Sequence, residues 1–280
     1  MSSVTGKKIR MSRLIQKETN TCIIFAIDHG LTSPVLLKGI IDTESRVREA
    51  ISGGANVLML SRGFARQVAD GLRGDTSLAL MLSASAAGRP KADGGSIITP
   101  IGSLDEALRI GADAVVVFVA LGGENEPEII SYVSKVGESC ELLGVPFIAE
   151  AEYPNTYAAK DTLGFEKYGV EYLKRNVRLC AELGADIIKT NWSGDIESFA
   201  EIIEAANRPV VVAGGPMTSD EELLTRMEKA KKAGAIGCSV GRNIFEHKNP
   251  EAMTRAIVQI FKGEKSSQEA LSELQEKLAT

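Results

Sequence analysis

The sequence predicts an α/β fold of the (β/α)8 barrel (TIM barrel) class, a single domain over residues 1–280 with a short N-terminal extension and a C-terminal helical tail. Three observations carry this. Short runs of Val, Ile and Leu alternate with longer amphipathic stretches eight times along 280 residues, the length of one such barrel. The runs lack polar alternation, so both of their faces are buried, as in a parallel sheet. Several helical stretches stop at a Gly-Ala step just before a strand, at Gly54-Ala55, Gly111-Ala112, Gly184-Ala185 and Gly234-Ala235; glycine supplies the left-handed stop and a short turn follows. A doubly wound open sheet is the rival, but it usually carries a glycine-rich turn after its first strand, and here that strand ends in Asp-His-Gly.

Taken in order, "CIIFAID" (22–28) reads as the first strand and 44–54 as its helix. "NVLMLS" (56–61) is the second strand, followed by a helix at 64–72, and "SLALMLS" (77–83) the third, followed by the loop "ASAAGRPKADGGS" and a helix at "SLDEALRIG". "AVVVFVA" (114–120) and "VPFIAEAE" (145–152) flank a helix at 126–142. A helix at 165–183 leads into the sixth strand, "ADIIK", and a helix at 196–206 into the seventh, "PVVVAGG" (209–215). A helix at 219–233, the eighth strand "IGCSVG" (236–241) and a helix at 250–262 complete the set, and the charged tail 264–279 reads as one more helix.

Composition narrows the function. Charged residues are 25% of the chain and the net charge is −5, so no basic stripe exists to release counterions from nucleic acid or an anionic membrane. No run approaches a membrane span, and the basic N-terminus "MSSVTGKKIRMSRL" lacks an apolar signal region. Cys22, Cys140, Cys180 and Cys238 form no C-x-x-C pair and read as buried thiols of a reducing cytoplasm. With only His29 and His247, a His-rich metal site is excluded, and no cofactor is expected.

In a barrel the chemistry sits at the C-terminal ends of the strands. Those ends supply Asp28-His29, Ser61-Arg62, Ser83, then Glu150, Glu152 and Tyr153, then Lys189, Gly214-Gly215 and Gly241-Arg242. Ile187 and Lys189 share a face, so Lys189 points into the barrel. Two readings stand on position alone: a desolvated amine with a lowered pKa, able to attack a carbonyl, or a lysine paired with a strand-end carboxylate such as Asp28. Both loops after the seventh and eighth strands carry glycines, and Arg242 adds a charge fork, which together point to a phosphate site. Asp28 either handles a substrate hydroxyl or proton or caps local backbone, and His29 is a hydrogen-bonding neighbour. Arg62 is a second anion contact or a rim salt bridge. On the fifth strand, alternation sends Glu150 and Glu152 to the lumen and Tyr153 to the other face unless the strand ends first; Pro154 makes such an ending plausible.

"GKKIRMSRLIQKETNTCIIFAIDHG", "GADIIKTNWSGD", "PVVVAGGP" and "GCSVGRNIFEH" resemble, in order over about residues 7–262, the Schiff-base aldolases of the archaeal-type fructose-bisphosphate aldolase and aminodideoxyheptulosonate synthase family, to which a phospho-autoinducer thiolase is similar. The resemblance implies an imine between Lys189 and a phosphorylated ketose, an acid/base or orienting role for Asp28, phosphate contacts at Gly214, Gly215, Gly241 and Arg242, and proton transfer by Tyr153. The family's Tyr-Pro-Arg-Gly is Tyr-Pro-Asn-Thr here. The expected activity is a class I aldolase, a lyase acting on fructose-1,6-bisphosphate or dihydroxyacetone phosphate. Alternatives are condensation onto an amino-acid semialdehyde, a thiolase-like cleavage, a non-catalytic sugar-phosphate binder, or a metal-dependent isomerase. A cytoplasmic homo-oligomer is implied, with a small-molecule sugar phosphate as its partner.

Overall fold

Runs of β-branched residues become strands and the stretches between them helices in a computed structural model that describes residues 2–33, 35–72, 74–85, 98–122, 125–154 and 161–279. In chain order the elements are α1 (Ser2–Leu14), β1 (Cys22–Ala26), α2 (Thr43–Gly53), β2 (Val57–Leu60), α3 (Arg62–Gln67), β3 (Ser77–Met81), β4 (Ser83–Ser85), β5 (Ile98–Pro100), α4 (Leu104–Ile110) and β6 (Ala114–Val119). They continue with α5 (Glu126–Leu143), β7 (Phe147–Ala151), α6 (Asp161–Glu182), β8 (Ile187–Thr190), α7 (Ile196–Ala206), β9 (Val210–Ala213), α8 (Asp220–Ala233), β10 (Gly237–Val240), α9 (Arg242–Phe245), α10 (Pro250–Lys262) and α11 (Ser267–Ala279). Eight of the strands, all parallel, close in the order β1-β10-β9-β8-β7-β6-β3-β2, so the chain is a (β/α)8 barrel. The left-handed glycines expected at the Gly-Ala steps cap α2, α4 and α8 at Gly54, Gly111 and Gly234.

Alternation splits the core in two. Odd residues of β1, Ile23 and Phe25, join the layer between barrel and helices, while Cys22, Ile24 and Ala26 fill the lumen with Val57, Met59, Met81, Val116, Ile148, Ile187 and Val211. Each large side chain so buried contributes on the order of 1.5–3 kcal/mol. The lumen is apolar toward the strands' N-terminal ends and ionisable toward their C-terminal ends, and this division places the site.

The N-terminal extension is itself a helix. Leu14 is fully buried against the lumen cluster, and the Leu14 carbonyl accepts from Asn56 Nδ2 at 2.9 Å. Lys7 pairs with Glu141 at 2.8 Å and Asp186 at 3.1 Å, and Arg10 Nη1 donates to Gly144 O at 3.0 Å. The segment therefore closes the end of the barrel opposite the chemistry. The third strand ends at Met81, two residues early; Ser83–Ser85 leaves the barrel to pair antiparallel with Ile98–Pro100. Residues 86–97 of the expected loop, Gly123-Glu124 and Asn155-Thr156 lie outside the described residues. All four cysteines are free and buried. No helix among the described residues is long and apolar enough to cross a membrane.

Helix α5 passes the end of α6 at Gly137, where a side-chain methyl would overlap the Leu183 carbonyl oxygen. Gly137→Ala is expected to destabilise the fold by about 1–3 kcal/mol through overpacking, read as a lower melting temperature. An unchanged melting temperature would mean that the two helices can separate freely.

Candidate active site

Register between β7 and β8 builds the centre. Glu150 lies directly opposite Lys189 in the parallel ladder, and both point into the lumen. The Lys189 ammonium is about one-tenth exposed, hydrogen-bonds Glu150, and stands 3.2 Å from Glu152, one layer nearer the mouth. Asp28, at the end of β1, is buried within electrostatic reach of both Lys189 and Glu152.

Of the two readings of Lys189, this arrangement bears out the lysine paired with strand-end carboxylates and corrects the lowered pKa. Burial alone would lower it, but the negative charges of Glu150, Glu152 and Asp28 outweigh burial and hold the ammonium above the ordinary lysine value. Sequence cannot show which carboxylates a strand neighbour brings, and Glu150 and Glu152, not Asp28 alone, are the partners. The carboxylates respond in turn. Burial, with the charges of Asp28 and Glu152 added, pushes Glu150 up to about 7 against the opposing pull of Lys189. Asp28 is also raised, chiefly by burial. Lys189, Glu150 and Asp28 thus set one another's protonation inside the barrel.

The strand-five expectation changes as well. Tyr153 is not brought to Lys189. Its side chain lies in the layer between barrel and helices, its ring stacks on Tyr172 with centroids 5.7 Å apart, and its hydroxyl donates to Gly169 O at 3.3 Å. Gly169 interrupts α6 with φ +68°, a left-handed backbone that suits glycine. The Tyr153 N–H donates to Asn191 Oδ1 at 2.8 Å. Strand alternation therefore persists through residue 153 and leaves the lumen to the glutamates.

The remaining residues line one cavity with Lys189 and Glu152: His29, Asn191, Ser239, Gly214, Gly215, Gly241 and Arg242. Free space there is about 30 Å³, enough for a water or two, so a larger substrate must part the lysine–carboxylate contacts. A wider groove of about 520 Å³ lies beside Trp192 and the start of α8, but it holds none of this buried cluster. His29 packs edge-on against Phe245 at 4.9 Å. Burial, then the charges of Arg242 and Lys189, hold its pKa well below the usual histidine value, so the ring is neutral near pH 7. Gly241 allows this packing, since a methyl there would overlap His29 Cε1. Arg242 Nη2 donates to Gly215 O at 3.0 Å. Arg62 pairs instead with Glu106 at 3.0 Å in the exposed rim, the salt-bridge reading. Among the described residues no cluster of three or more His, Cys, Asp or Glu side chains is arranged to hold a metal.

Three residues of this wall escaped the sequence reading: Asn191, Ser239 and, behind the loops, Asn243. Asn191 and Asn243 stand within the motifs "KTNW" and "VGRN", and being polar residues next to a strand end was their one signal. Ser239 is a buried lumen residue whose Oγ has no hydrogen-bond partner among the described residues. Reading alternation through the eighth strand to its end places it inward.

Residues 22–247 match the model of the "DeoC/LacD family aldolase". The chain is 34% identical over 268 residues, 95% of its length and 96% of the relative's, to 2-amino-3,7-dideoxy-D-threo-hept-6-ulosonate synthase of Halobacterium salinarum. It is 33% identical over 249 residues, 89% of its length and 87% of the relative's, to 2-amino-4,5-dihydroxy-6-oxo-7-(phosphonooxy)heptanoate synthase of Streptomyces griseus. The crystal structure of an archaeal fructose 1,6-bisphosphate aldolase superposes with a TM-score of 0.77 at 25% identity, covering 92% of this chain and 99% of that one.

Proposed function

We propose that this chain, which belongs to the DeoC/LacD aldolase family, is a Schiff-base aldolase whose Lys189 forms an imine with a phosphorylated ketose. As an aldolase it makes or breaks a carbon–carbon bond beside a carbonyl. The observation that carries the imine reading is the buried Lys189 between Glu150 and Glu152, facing Gly214, Gly215 and Arg242 across one cavity.

Each step follows from the cluster. The ammonium must first lose a proton: the entering substrate parts it from the carboxylates that hold its charge, and Glu150 beside it accepts the proton. The neutral amine then attacks the ketone carbon and the carbonyl oxygen takes up a proton. The carbinolamine expels that oxygen as water with a proton returned by the carboxylates, leaving a protonated imine. The imine draws in the electrons of the adjacent carbon–carbon bond as it breaks, while Asp28 accepts the proton of the departing aldehyde's hydroxyl. Asp28 passes that proton by way of Glu152, on the cavity wall, to the resulting enamine carbon, and water then hydrolyses the imine to free the Lys189 amine. Condensation runs the same steps backward.

The anionic end of the substrate sits at Arg242 and the loops of Gly214-Gly215 and Gly241. His29 stays neutral beside it and offers a hydrogen bond without adding charge. Dihydroxyacetone phosphate chemistry is the first reading, with fructose-1,6-bisphosphate as the cleavable ketose. A second reading, condensation onto an amino-acid semialdehyde, is favoured by the two amino-sugar-acid synthases, which match the chain at higher identity than the archaeal aldolase structure does. The four buried free thiols suit a cytoplasmic protein, and a homo-oligomer is part of this proposal.

Arg242→Ala tests the phosphate assignment. Loss of a charge-assisted contact is expected to weaken a phosphorylated ketose by about 1.5–3 kcal/mol. Dihydroxyacetone without its phosphate is expected to change far less. Competition assays with the two ligands measure this, and equal weakening of both places the phosphate elsewhere.

A further inference from the structure

We infer that Asn243 and Arg226 are positioning residues for the anion: by turning the Gly214 carbonyl away from the barrel mouth they aim the Gly215 N–H into it. The inference rests on the phosphate reading above. Neither residue lines the cavity, and both act from behind the loop that joins β9 to α8.

The hydrogen bonds of that loop follow one pattern. The Gly214 N–H continues the barrel ladder to Ser239 O at 3.0 Å. From there each carbonyl up to Pro216 is taken by a side chain. Gly214 O accepts from Arg226 Nη1 at 3.1 Å and from Asn243 Nδ2 at 3.3 Å. Gly215 O accepts from Arg242 at 3.0 Å, and Pro216 O from Asn243 Nδ2 at 2.9 Å. The Thr218 N–H donates to Asn243 Oδ1 at 3.1 Å. One buried amide thus pins the loop at three points. It suits the task because a planar amide presents donors and an acceptor together, whereas a carboxylate has no donor and a hydroxyl is too short to span the three.

The consequence is a matter of peptide geometry. A trans peptide is planar, so its C=O and N–H point in opposite directions. Fixing Gly214 O toward Arg226 and Asn243 fixes the Gly215 N–H the other way, on the cavity side where Gly215 lies. That N–H has no acceptor among the described residues. Gly215 takes φ +70°, which permits the turn at no steric cost. A guanidinium on the carbonyl also polarises the peptide, strengthening the N–H as a donor. Left unpinned, the same peptide can flip and present a carbonyl oxygen to the anion, which repels it.

The test compares dihydroxyacetone phosphate with dihydroxyacetone in wild type, Asn243→Asp, Arg226→Met and Arg226→Lys, reading the ratio of kcat/KM for borohydride-trapped imine formation. Asn243→Asp keeps the acceptor for Thr218 but loses both carbonyl contacts. Its ratio is expected to fall at least about tenfold, chiefly through KM for the phosphorylated ligand. Arg226 stands on α8, paired with Glu222 at 3.2 Å, and Arg226→Lys, which keeps the cation, serves as the control for folding. Arg226→Met is expected to lower the ratio severalfold, and Arg226→Lys, which retains a cationic donor, to recover most of it. Ratios that stay at the wild-type value in Asn243→Asp and Arg226→Met overturn the inference, as does an equal loss for both ligands, the mark of general disruption. A wild type that does not distinguish the ligands overturns the phosphate reading and this inference with it.

Discussion

Lys189→Met is expected to lose carbon–carbon bond chemistry by about 10⁴-fold or more, because among the described residues lining the cavity Lys189 alone carries a primary amine. It is also expected to make folding more strongly pH-dependent. Burial is the main force raising Glu150, Lys189 is the charge that opposes it, and Asp28 and Glu152 push in the same direction as burial. Without the lysine the folded pKa of Glu150 climbs further above its unfolded value near 4.3. A carboxyl raised in the folded state binds its proton more tightly there. Its contribution is therefore complete below the unfolded pKa and is lost as pH rises through the folded one. The melting temperature of Lys189→Met should fall more steeply than that of wild type between about pH 5 and pH 8. A methionine variant with the wild-type profile would mean that the lysine does not control the carboxylates.

The second large effect divides the two glutamates. Glu150→Gln keeps the shape but cannot take the ammonium proton, so imine formation itself is expected to slow by about 10²–10⁴-fold. In wild type the rate of imine formation should drop as pH falls below about 7, where Glu150 takes up a proton and is no longer free to accept one. That limb should vanish in the glutamine variant. Glu152→Gln is expected to form the imine but to stall in the exchange of the adjacent C–H with solvent. Tyr153→Phe, whose hydroxyl serves Gly169, is expected to stay within about threefold of wild type in both steps, with its main effect on the packing of α6. Single-turnover trapping and deuterium exchange separate the outcomes. Stalled exchange in Tyr153→Phe with normal exchange in Glu152→Gln would return the proton to the tyrosine.

These residues also show what the sequence made legible. Barrel architecture was readable because Val/Ile/Leu runs and Gly-Ala stops are local signals, and the strand-end rule then drew Asp28, His29, Lys189, Gly214, Gly215, Gly241 and Arg242 to one mouth. Helix α1 was not, since its apolar residues are sparse and Leu14 is buried only by the barrel floor it meets. The charge state of Lys189 depends on register: Glu150 is its neighbour through a ladder between strands 39 residues apart in sequence, and no local pattern encodes that pairing. Tyr153 was drawn to the mouth by a family motif, while alternation along "PFIAEAEY" already pointed it outward. Asn243 escaped because its function is a set of contacts to a loop about 25 residues earlier in sequence.

Intact-mass analysis of the wild-type protein, reduced with borohydride in the presence of dihydroxyacetone phosphate and then digested for peptide mapping, decides whether Lys189 forms the imine. One adduct per chain is expected, located at Lys189 and absent from Lys189→Met. A wild type that gains no adduct across a panel of phosphorylated ketoses, or an adduct on another lysine that persists in Lys189→Met, would contradict it.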